Sequence, residues 1–95
     1  MSLKEKLADF AGALTSATYA PDEYPLPEYV NYQSNMADLQ GLWLEIRQQL
    51  THDVEAAAFI DEKLAEMLRE FEAGRKVEGR RAVLAIYNLK VERLR

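Results

Sequence analysis

The chain has 95 residues, 48% of them hydrophobic and 29% charged, with a net charge of −4 and no cysteine. That length sustains one core and the apolar content suffices to fold it, which excludes two independent cores and wholesale disorder. The absence of cysteine excludes a disulfide scaffold, a thiolate zinc site and a cysteine nucleophile. The longest apolar run of the last third, Ala82 to Tyr87, falls far short of the roughly 20 residues that a bilayer span needs. The expectation is a soluble, cytoplasmic protein without a membrane segment. A chain this short buries only about 60 to 65% of its unfolded surface, so self-association is expected to supply part of its stability.

A first helix is expected over residues 3–17, where Leu3, Leu7, Phe10, Leu14 and Ala17 recur at steps of four and three and share one face. Ser2 and Glu5, three apart, supply a capping box at its start. The stripe is narrow, which implies a helix docked lightly or against one neighbour only. From 18 to 34 the periodicity vanishes. Pro21, Pro25 and Pro27 remove amide donors and push the preceding residues toward extended geometry. This stretch reads as a long Pro/Tyr-rich connector carrying Tyr19, Tyr24, Tyr29 and Tyr32.

The second helix, 35–50, places Met36, Leu39, Trp43, Ile46 and Leu50 on one face, with Leu42 widening it and Ser34 or Asn35 as its cap. The short break at Thr51, His52 and Asp53 predicts an antiparallel hairpin with a third helix, 53–73. That helix buries Val54, Ala57, Ile60, Leu64, Met67, Leu68 and Phe71 and stops at Gly74. The fourth helix, 76–94, differs in kind. Val77, Val83, Leu84, Tyr87, Val91 and Leu94 cover one broad arc, and Ile86 and Leu89 carry the apolar surface toward the back. A helix apolar nearly all round is buried on more than one side, so Val83, Ile86 and Leu89 are the candidates for self-association.

Charge is distributed unevenly. Residues 53–73 hold seven acidic side chains against two basic ones, and residues 75–95 hold seven basic against two acidic, so the two segments carry −5 and +5. The simplest explanation is that helices three and four pair and satisfy each other along the rim, each surface pair contributing about 0 to 1 kcal/mol. Arg80 and Arg81 remain conspicuous near the start of helix four, where the macrodipole disfavours cations; they are candidates to receive a phosphate or a partner's carboxylate.

The chemistry-bearing residues form no recognisable machinery. A carboxylate-bridged di-iron site needs two Glu-x-x-His pairs, and the single histidine, His52, has Gln49 three residues before it. Ser16, Ser34 and Asp53 come without a nucleophile elbow or a glycine-rich phosphate loop. No catalytic, cofactor-binding or metal-binding residue is assigned. Helix three, Gly74 and the basic start of helix four trace the outline of a helix-turn-helix reader of nucleic acid. The acidic third helix, the acidic whole chain and the apolar fourth helix all disfavour that alternative.

Two further surfaces are candidates for contact with a protein partner. Tyr24 and Tyr29 offer broad, polar-tipped rings on the connector, although such rings more simply pin a loop to its own helices. Phe59, off the apolar face of helix three and near Glu62 and Glu66, is an aromatic in an acidic field suited to a basic partner. Together these features predict an all-α bundle of three longer helices plus a lightly docked N-terminal helix. Its expected role is a non-enzymatic, homodimeric interaction module: an adaptor, chaperone, inhibitor or assembly factor.

Overall fold

The computed structural model describes residues 2–95. The fold is all-α, with helices α1 (Leu3–Ala17), α2 (Tyr32–Gln49), α3 (Val54–Glu72) and α4 (Lys76–Tyr87), followed by a 3-10 turn at Val91–Arg93. No helix among the described residues is long and apolar enough to cross a membrane.

Local chemistry sets the helix ends. Ser2 caps α1, accepting from the Glu5 amide at 3.2 Å while the Glu5 carboxylate returns to the Ser2 backbone. α2 starts at Tyr32 rather than at 35, because Asn31 and Ser34 cap reciprocally: Ser34 N–H donates to Asn31 Oδ1 at 3.0 Å and Asn31 N–H to Ser34 Oγ at 3.1 Å. At the end of α3, Gly74 adopts φ 78°, and the amides of Gly74 and Arg75 donate back to the carbonyls of Phe71 and Glu70. This left-handed closure, open to glycine at little steric cost, turns the chain sharply into α4.

α1 and α2 run antiparallel, since Asn35 meets Ala13 while Trp43 stacks on Phe10 with ring centroids 5.5 Å apart. α3 and α4 form the second antiparallel pair, with α1 also lying against α4 and the 3-10 turn. α2 and α3, joined by the short break as predicted, stand further apart than the other pairs and are bridged by long side chains. Trp43 Nε1 donates to Asp61 Oδ1 at 2.7 Å, and Arg47 Nε donates to Asp61 Oδ2 at 2.8 Å.

The expectation of a lightly docked first helix is corrected. Leu7, Phe10, Leu14 and Ala17 are fully or almost fully buried. The stripe is narrow, but Ala11 and Ala13 beside it also pack on the core, and their small side chains let neighbouring helices close on α1 from two sides.

The fourth helix is corrected as well. It ends at Tyr87, not 94, and Lys90 takes a left-handed conformation at φ 55° before the 3-10 turn. Continued as a helix, Val91 would project on the same side as Val77 and Leu84. The break redirects Val91 and Leu94 into the core, which offsets the cost of a non-glycine residue at positive φ. Arg95 then closes on the start of α3. Its carbonyl oxygen accepts from the amides of His52 and Asp53 at 2.9 Å, and its own amide donates to Asp53 Oδ2 at 2.6 Å.

Candidate protein-interaction surface

Helix α4 turns inward only one edge of its hydrophobic arc, at Val83, and the face beyond it, while Val77, Leu84 and Tyr87 of the arc face out. Gly79, Ala82, Val83 and Ile86 face the core. The reason is Phe71, whose ring lies so close that a Cβ at position 79 would sit 2.5 Å from Cδ1 and Cε1. Only a residue without a side chain fits at this point of closest approach. Val83 and Ile86 are therefore wholly buried within one chain and are core residues, not a self-association surface. Of that trio only Leu89 reaches solvent.

The displaced apolar side chains are left outside. Val77, Leu84 and Tyr87 are 58%, 44% and 47% exposed and share the outward side of α4, with Leu89 just beyond its end. Toward α3 this stripe is bordered by a shallow depression of about 280 Å³ lined by Glu66, Glu70, Glu78 and Arg81. Arg81 and Glu62 are both exposed.

Arg80 has a structural assignment. Its Nε donates to the Ala20 carbonyl at 2.8 Å, and its Nη2 donates to the Tyr19 carbonyl and to Glu23 Oε1. Lys76 pairs with Asp22 and Glu23 at 2.9 and 2.8 Å. Lys76 and Arg80 of α4 thus bind the first turn of the segment joining α1 to α2, and among the described residues the expected pairing of the basic segment with α3 is met by Arg75 alone. Arg75 does hold Glu70 of α3, from the turn before α4. Arg80, engaged by two carbonyls and a carboxylate, is not a free phosphate receptor. Lys76 and then Arg80 hold the Glu23 carboxyl below its ordinary range.

The tyrosines divide. Tyr24 is buried, its hydroxyl donating to Asn35 Oδ1 at 2.8 Å while Asn35 Nδ2 donates to the Ala13 carbonyl at 3.0 Å. It anchors the segment to α1 and α2 and is not a partner contact; burial pushes its phenol up to about 12. Tyr29 is 77% exposed. An apolar cleft of about 180 Å³ lies nearby, between the end of α1 and Tyr24, Pro25, Leu26 and Val30.

Phe59 is half-buried. Lys63 Nζ lies 5.6 Å from its ring centroid and also donates to Glu66 at 3.3 Å, so α3 covers this ring and partly neutralises its own acidic field. His52 is exposed, its Nδ1 2.9 Å from Thr51 Oγ1. Asn35, Asp61 and Gly79 carry much of the architecture and were not singled out for these roles by hydrophobic periodicity. Comparison with protein-family models, curated proteins and solved structures finds no match to this chain.

Proposed function

We propose that this chain is a non-enzymatic protein–protein interaction module, a small helical bundle strapped by its Pro/Tyr-rich segment, that docks a partner on the outward side of α4. One observation carries this reading. Val77, Leu84 and Tyr87 stay in solvent although the other face of the same helix is saturated by core packing. Clustered apolar side chains rimmed by charge are the usual composition of a docking patch. Glu66 and Glu78 on the rim, with Glu62 further along α3, suit a partner whose apolar surface is edged by basic residues.

Photo-crosslinking in the native host tests this. A photoreactive phenylalanine analogue at Leu84 is expected to yield a discrete protein adduct, and the same analogue at Gln40, exposed on α2, none. The adduct should weaken when Glu62 and Glu66 are both changed to Lys. No adduct at Leu84, or identical adducts at both positions, overturns the reading.

A further inference from the structure

Two grooves flank the outward side of α1, and they carry opposite charge. One, about 620 Å³, runs between α1 and the end of α4, has Lys90, Arg93 and Glu92 along its far wall, and meets the α4 patch at Tyr87, whereas Val77 and Leu84 lie outside it. The other, about 490 Å³, runs between α1 and α2 and is edged by Asp9 and Asp38. Both grooves are lined by Ala8 and Gly12, which therefore form the crest between them. Among the described residues, Asp9, Asp38, Lys90 and Arg93 form no ion pair.

We infer that this side of the molecule is a homodimer interface in which two copies of α1 pack parallel about a twofold axis running along the helix. The charge arrangement selects the occupant and its orientation. Closed dimers bring the same patch together from both copies. A twofold axis along α1 exchanges the two flanks, so Asp9 and Asp38 of each copy face the Lys90 and Arg93 flank of the other, twice over. A twofold axis across α1 would set acid against acid and base against base. The heights match because both grooves reach the same crest residues. Glu92 lowers the basic flank to a net +1 against −2 on the acidic flank, and the complementarity survives it.

Gly12 fits this arrangement. A Cβ there would meet nothing within 4 Å in its own chain, so a helix-weakening residue sits mid-helix with no packing return inside the protomer. At a crest shared with a second copy, the missing side chain lets the two helices approach closely.

Sedimentation velocity on the full chain tests the proposal separately from the α4 docking surface, which is read by crosslinking. The 10.9 kDa chain is expected to sediment at twice its mass at about 50 mM salt and to shift toward monomer at about 0.5 M, where exposed charges are screened. The pair Asp9→Lys with Asp38→Lys is expected to be monomeric, as is the pair Lys90→Glu with Arg93→Glu. Mixing these two proteins in equal amounts restores a dimer. Gly12→Leu is expected to be folded by circular dichroism and monomeric. A monomeric parent, dimeric charge-reversed variants, or a mixture that stays monomeric overturns the interface and leaves the α4 reading standing.

Discussion

Gly79 of α4 lies directly against the ring of Phe71 of α3, and the same ring meets Tyr32 edge-on, with centroids 5.9 Å apart and planes at 86°. Buried and in contact with both, Phe71 has little room to yield. Gly79→Ala is therefore expected to destabilise the protein by about 1 to 2 kcal/mol, overpacking of about 1 to 3 kcal/mol outweighing the helix propensity gained. Gly41→Ala in α2, where a Cβ meets nothing within 4 Å, should instead stabilise by about 0.5 to 1 kcal/mol. Urea denaturation of the two variants reads both signs.

Asp61 joins α3 to α2 by accepting from Trp43 Nε1 and Arg47 Nε. Asp61→Ala leaves the indole N–H of an almost fully buried ring unpaired and is expected to cost about 1 to 3 kcal/mol. Asp61→Asn keeps an acceptor and should cost less. Equal losses for the two variants would mean that the hydrogen bond does not hold this junction.

Tyr24 gives the fold an alkaline limit. Burial is the larger cause of its raised pKa, the neighbouring Tyr32 phenol adds to it, and Arg80 opposes it. The fold favours the neutral phenol. Its contribution is thus complete below the ordinary value of 10.0 and is lost as pH climbs through about 12. Tyr24→Phe should be less stable than the parent at pH 8, with Asn35 Oδ1 deprived of its donor, yet should lose less stability between pH 10 and 12. A variant declining as steeply as the parent would contradict the assignment.

Arg80 governs the segment between α1 and α2. Arg80→Leu is expected to raise hydrogen exchange at the Glu23 amide, which donates to the Tyr19 carbonyl at 2.9 Å, by about tenfold or more while α3 amides are unaffected. Glu23 supplies an acid dependence. Its pKa is lowered by the Lys76 and Arg80 hydrogen bonds, so the stabilisation is present above the ordinary 4.5 and is lost as pH falls through the folded value. Glu23→Gln should remove that acid dependence from the exchange rate.

The elements most legible in the sequence were those fixed by local chemistry. The Ser2–Glu5 box and the Gly74 stop act over three or four residues, and both operate as read. Asn31 with Ser34 is the same kind of device, but it lacks the usual Glu or Gln partner, and α2 begins three residues earlier than expected. What periodicity could not convey was the worth of small residues. Ala11 and Ala13 embed α1 on two sides, and Gly79 with Ala82 sets which side of α4 faces in, because the volume that matters belongs to Phe71 on another helix. Arg80 and Arg81 are adjacent and chemically alike, as are Tyr24 and Tyr29 in their Pro-rich setting. One member of each pair is committed to internal bonds and the other is exposed, a division set by contacts up to 61 residues apart in the chain.

The lone tryptophan occupies the meeting point of three helices, stacked on Phe10 of α1, rooted in α2 and tethered to α3 through Asp61. Its emission is a built-in, label-free gauge of assembly. A red shift on separation of any one of these elements would let stopped-flow fluorescence follow the order in which they come apart.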